Sequence, residues 1–173
     1  MRIRHRLSSF ACRLPLAVLL SVLPLAAWAL PAPEGDVILT VSGNIAHTNV
    51  GDEAHFDAAM LEALPGRVIE THTPWTDGPS AFEGPLARAL LEAVGTDSES
   101  VRVRALNDFA ADIPVDNFYD YDVILALTRN GEAMPIRDYG PIFVLYPFDD
   151  HPELHNETIR FRSVWQVVHI HAE

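Results

Sequence analysis

Two apolar runs, Val123–Leu127 and Ile142–Tyr146, lie close together in the stretch DVILALTRNGEAMPIRDYGPIFVLYPFD, Asp122 to Asp149. Each has the length of a buried strand. Between them Asn130-Gly131 suits a tight turn that needs positive φ, and Met134-Pro135 and Gly140-Pro141 mark irregular backbone. The stretch therefore reads as a strand, a turn, a loop and a second core strand closed by Pro147. It commits the chain to a sheet.

Residues 1–29 read as a signal peptide and leave the fold problem. Arg2, Arg4, Arg6 and Arg13 form a positive n-region, Leu14–Ala27 is apolar, and Ala27-Trp28-Ala29 fits the small-x-small cleavage rule. The apolar run is about 14 residues and is broken by Pro15 and Pro24, whereas a spanning helix needs roughly 20. An uncleaved anchor is the competing reading. The leader arginines are never paired, so the signal is of Sec type and lacks the twin-arginine mark of prefolded export. Cys12 precedes the apolar run and is not placed as a lipid-anchor cysteine. The expectation is a periplasmic protein, threaded unfolded across the membrane, with one domain over residues 30–173 and no stable membrane insertion after cleavage.

All the leader charges are arginine and all 24 acids lie downstream, so residues 30–173 carry eight arginines, no lysine and a net charge of −16 with His neutral. Such a surface repels phosphate backbones and anionic headgroups, which argues against nucleic-acid and membrane-surface roles. Its first use is solubility. The lysine-free, Ala- and Arg-rich composition fits a bacterial chain, which makes the outer compartment the periplasm. Beyond the leader there is no cysteine, hence no disulfide, thiolate nucleophile or cysteine metal ligand.

Along the domain, Leu30–Asp36 is a Pro-rich lead-in and Val37–Val41 a first strand ended by Ser42-Gly43-Asn44. Asp52 or Glu53 is expected to open a short helix with Phe56, Met60, Leu61 and Leu64 on its apolar face, stopped by Pro65-Gly66. Arg67–Thr73 alternates as a half-exposed strand, with Val68, Glu70 and His72 on one face and Ile69, Thr71 and Thr73 on the other. Residues 74–79 form a loop, and Phe82-Glu83-Gly84-Pro85 leads into a helix over Leu86–Val94 with Gly95 as its C-cap. Val101–Leu106 alternates as a strand, Asn107–Pro114 reads as turn, and Pro114–Phe118 as a short strand or helix start. A loop from Asp149 to Asn156 and a last strand, Ser163–Ile170, complete the pattern. Many short strands with two or three short helices make an α+β domain, mostly β.

The ordered set VSGNI, a leucine-bearing helix ending in Pro-Gly, FEGPLARALLEAVG, RVRALNDF, DVILALTRNGEAMPIRDYGPIFVLYP and SVWQVVHI resembles the oxidoreductase molybdopterin-binding domain, the fold of sulfite oxidases, from about Asp36 to Ile170. The resemblance is to a small, exported, single-domain branch. It implies a sulfite oxidase-like fold and, in catalytic members, molybdopterin with a cysteine thiolate on molybdenum in the loop after the second strand. Here Thr71, His72 and Thr73 occupy that neighbourhood, and neither residue type replaces a soft thiolate. Pro141-Ile142-Phe143 lacks the arginine that the family carries two residues after that proline, and Val164 stands before Trp165 where lysine is frequent. Such enzymes receive their cofactor before twin-arginine export, a signal this leader lacks. The expectation is a retained fold without the molybdenum chemistry.

Several constellations remain. His72, Thr73, Trp75 and Asp77 sit in the loop corresponding to the family's metal site and form a candidate ligand cleft, against the plainer reading of a loop packed down by Trp75. No GxSxG-type serine motif accompanies the His and Asp. In YPFDDHPELHN, His151 and His155 with Asp149, Asp150 and Glu153 have metal-ligand character, for zinc in particular, but Pro152 breaks the helix that would bring both His onto one face. His169 and His171 share a strand face without an evident third ligand, and His47 and His55 have no evident partners. Arg102 and Arg104 share another face and are expected in internal salt bridges. Trp165, Phe118, Tyr119 and Tyr121 read as core. No metal is expected, and molybdopterin enters only through the resemblance. The functional expectation is a non-catalytic periplasmic domain that binds a small ligand or a membrane-bound sensor protein. The alternative is a molybdopterin-dependent oxidoreductase holding its cofactor without a cysteine.

Overall fold

The computed structural model describes residues 30–173, so the signal-peptide reading and Cys12 lie outside the described residues. In chain order, β1 (Leu39–Gly43) and β2 (Ala54–Phe56) precede α1 (Ala58–Glu62), and β3 (Gly66–Thr71) and β4 (Ser80–Pro85) lead to α2 (Ala87–Val94). β5 (Ser100–Ala105) and β6 (Ala110–Pro114) come before α3 (Asp116–Asp120). Then follow β7 (Ile124–Ala126), β8 (Thr128–Arg129), β9 (Glu132–Ala133), β10 (Phe143–Leu145), α4 (Glu157–Arg162) and β11 (Val167–Ala172). The class is α+β and mostly sheet, with four short helices among the described residues where two or three were expected. Among the described residues no helix is long and apolar enough to cross a membrane.

The main sheet runs β2-β1-β11-β5-β6, with β1 and β11 parallel and the other neighbours antiparallel. A second sheet runs β3-β4-β8-β9, and β7 pairs with β10 between them. The two apolar runs are thus the hinge of the architecture: Phe143–Leu145 lies against Ile124–Ala126, and all six residues are buried. Val144 N–H donates to Val164 O at 2.8 Å and Val167 N–H to Ile142 O at 3.0 Å, which ties the pair to the segment entering β11. On the other side β4 runs against β7 so closely that a Cβ at Gly84 would strike the Leu125 carbonyl oxygen. Only glycine allows that approach.

Local signals explain several elements. Asn130 and Gly131 take φ of 54° and 80°, the paired positive values of a tight hairpin turn between β8 and β9. α2 buries Ala87, Leu90, Leu91 and Val94 on one face and ends at Gly95 in the left-handed region. On β3, Ile69 and Thr71 point inward while Val68 and Glu70 are exposed, as the alternation requires.

Four expectations need correction. The segment after Asp52 is a short strand, β2, and the helix starts later, where Asp57 caps α1 by accepting from Met60 N–H at 2.9 Å. Phe82-Glu83-Gly84-Pro85 belongs to strand β4, paired along its length with β3. Asn107–Pro114 is not all turn, because Ala111 and Ile113 are buried on β6 opposite β5. Tyr119 is 48% exposed and not core, although Phe118 is buried and Tyr121 packs against the core. The fourth helix, α4, is capped by Asn156, whose Oδ1 accepts from Ile159 N–H at 3.0 Å.

Candidate functional site

β3 ends at Thr71, two residues short of the expected strand end at Thr73, and the loop that follows carries His72, Thr73, Trp75 and Asp77 in different orientations. His72 faces outward. Its backbone N–H donates to Asp149 Oδ2 at 2.9 Å, and its Nδ1 lies 2.8 Å from the same oxygen. A carboxylate only accepts, so Nδ1 carries a proton and donates. The His72 N–H, and then its ring, hold the Asp149 carboxyl below the usual carboxylate range. Thr71 completes the clasp, with Oγ1 accepting from Asp149 N–H at 3.0 Å.

Thr73 turns inward and is buried. Its Oγ1 accepts from Trp75 N–H at 3.3 Å and Thr76 N–H at 3.1 Å and shares a hydrogen bond with Thr76 Oγ1 at 2.8 Å. The hydroxyl is committed to its own turn. Trp75 drops onto the domain, edge-on to Trp165 at 5.4 Å, Phe143 at 5.7 Å and Phe148 at 6.1 Å. Its carbonyl accepts from Tyr139 O–H at 2.8 Å. Asp77 is exposed. His72, Thr73, Trp75 and Asp77 therefore share a loop but do not converge on one point.

Trp75 instead forms part of a recess of about 370 Å³ whose lining does not include His72. Trp75 and Trp165 line it together with Phe109, from the β5–β6 connection, and Phe161 of α4. The two phenylalanines meet edge to face at 4.9 Å, yet they remain 39% and 55% exposed. Glu157 and Arg160 of α4 complete the lining on the polar side. A second cavity, about 560 Å³, opens between β3, β4 and β8; its lining mixes Glu62, Glu83 and Arg67 with apolar residues such as Leu64, Val68 and Leu127, and the buried Thr128 hydroxyl has no partner among the described residues. Arg67 is engaged by Asp122 and Asp150 at 3.6 Å each.

The histidines of the late loop go separate ways. His151 pairs with Glu153 at 3.2 Å and abuts Tyr121, whereas the His155 ring packs against Phe148. Pro152 opens a 3-10 turn between them, which breaks the i, i+4 register. Among the described residues no three His, Asp or Glu side chains are grouped to hold a metal. Arg102 meets Asp112 in a two-pronged pair at 2.7 and 2.9 Å, and Arg104 faces Asp108, as expected of both. His47 and His55 do find partners, the Ala93 carbonyl and Glu53.

The donor set also bears on molybdopterin. Near the loop where the resemblance places a thiolate, the candidates are a hydroxyl spent within its own turn and an imidazole fixed by a carboxylate. Neither supplies a thiolate, and both are already engaged, so the residues present do not reproduce the thiolate-ligated molybdenum centre that the resemblance implies. Sequence reasoning missed Phe109, Arg160 and Phe161 because they belong to a turn and a helix that only the folded chain brings to Trp75. The exposed aromatic pair in an acidic chain was the available signal. The chain matches no known family model, and no curated protein is significantly similar to it.

Proposed function

We propose that this protein is an exported, non-catalytic binding domain of the sulfite oxidase-like, molybdopterin-binding type, acting in the periplasm on a small ligand. The observation that carries the reading is the fate of the Thr73 hydroxyl, which is consumed by its own turn in the loop where a catalytic relative would present its metal ligand. The aromatic recess beside Trp75 supplies a place for a ligand of modest size. The net charge of −16 disfavours nucleic acid, and a membrane-bound sensor protein is the partner to which such a domain would report.

The His72–Asp149 pair supports binding over catalysis. It has the geometry of an oriented base, but among the described residues no serine, threonine or cysteine is hydrogen-bonded to the His72 ring; the Thr71 hydroxyl donates to the His72 backbone carbonyl instead. The test is elemental and pterin analysis of protein purified from the periplasm of its own host. Molybdenum below about a tenth of stoichiometry is expected on the donor argument. Stoichiometric molybdenum with a pterin would overturn the reading and favour a molybdopterin-dependent oxidoreductase that lacks a cysteine ligand.

A further inference from the structure

We infer that the recess formed by Trp75, Trp165, Phe109 and Phe161 binds a small zwitterion with an aromatic or apolar body, an α-amino acid being the simplest member of that class. This rests on the reading of the domain as a binder and names the site and the chemistry it takes.

The apolar part follows from exposure. Phe109 and Phe161 are held against each other at 4.9 Å while still 39% and 55% in contact with solvent, beside two partly buried tryptophans. Covering these rings with a flat apolar group removes area from water and offers edge-to-face contacts. The volume of about 370 Å³ suits an occupant of a dozen or so heavy atoms.

The polar part follows from two unmatched charges. Of the eight arginines beyond the leader, five face carboxylates and two donate to Ser80 and Asn117. Arg160 alone does neither among the described residues. Glu157, three residues earlier on the same helix, is likewise without an ion pair, and the two do not pair with each other. Side chains at i and i+3 stand about 5–6 Å apart at Cβ on one helix surface, so both heads can reach the two ends of one small bipolar group. A pure anion would leave Glu157 opposed, and a pure cation would meet Arg160. A zwitterion answers both and adds no net charge to an acidic domain.

The experiment is calorimetric titration of the full domain with L-phenylalanine, 3-phenylpropionate and 2-phenylethylamine. L-Phenylalanine is expected to bind with a Kd of about 1 mM or tighter, and each half-charged analogue roughly tenfold more weakly. Arg160→Ala should weaken L-phenylalanine roughly tenfold while 2-phenylethylamine binds no more weakly than to the parent, and Glu157→Gln should weaken L-phenylalanine while 3-phenylpropionate binds no more weakly. Both substitutions are on the surface, and unchanged melting temperatures confirm that each variant is folded. An analogue binding as tightly as L-phenylalanine, no binding by any of the three, or variants that bind like the parent would overturn the proposal. Native mass spectrometry of host-purified protein separates the two claims. A bound molecule of another class removes this assignment and leaves the binding reading, whereas stoichiometric molybdenum removes both.

Discussion

His169 and His171 reach the same hydroxyl, with Nε2 of the first and Nδ1 of the second each 3.0 Å from Ser42 Oγ. Their rings lie 6.4 Å apart and nearly parallel. Burial first, then Arg104 and the neighbouring imidazole, lower the His169 pKa, with Glu53 acting weakly the other way. The unfolded chain therefore takes up this proton before the folded one does. The neutral ring's contribution to stability is full above the ordinary value of about 6.5 and is lost as pH falls through the depressed folded value. Urea unfolding from pH 7.5 downward should show stability decreasing below about pH 6.5, and His169→Gln should flatten that part of the curve. Asp149 acts in a separate window. Its lowered pKa stabilises the fold above the ordinary carboxylate value, about 3.9, and that contribution disappears only at more acid pH. Asp149→Asn should change the acid limb and leave the His169 limb in place.

At the scale of elements, α4 has few stabilising contacts of its own. It is six residues long, and Ile159 is its one buried residue. The Asn156 cap therefore matters more than it would on a long helix. Asn156→Ala should cost about 0.5–2 kcal/mol in urea unfolding, and by loosening the turn that carries Arg160 and Phe161 it should weaken L-phenylalanine binding as well. What the sequence could and could not reveal divides along the same line. α2 was legible because its apolar face, Pro85 and Gly95 are local signals, and the β8–β9 turn because Asn130-Gly131 is one. β4 was read as a lead-in because Gly84 and Pro85 look like breakers, whereas Gly84 is there to let β7 approach. β6 contains only small and polar residues around Ala111 and Ile113 and is a strand because β5 pairs with it. α4 is hard to see because four of its six residues are polar or charged and Ile159 and Phe161 stand alone among them, although its Asn156 cap is a local signal. The candidate loop was found by position, but its geometry was not, since His72 meets a residue 77 positions away and Trp75 packs on Phe143 and Trp165.

At the scale of the molecule, the arrangement of the main sheet decides when any of this can exist. β11 lies between β1 and β5, parallel to the first and antiparallel to the second, and buries Val167, Ile170 and Ala172. Deleting residues 167–173 should abolish cooperative unfolding and leave a chain without near-ultraviolet circular dichroism, because it removes the middle of a sheet and not an edge. A truncated chain that still melted cooperatively would show that β1 and β5 can close without it. The strand that joins the two halves of the sheet also follows both of them in the chain, so it emerges after them when synthesis or transport proceeds from the N-terminus. Until residue 172 is clear, β1–β2 and β5–β6 are two half-sheets with bare facing edges. The main sheet thus has a built-in delay: it cannot close before β11 has emerged, and during that interval the facing edges of β1 and β5 are open to wrong pairing.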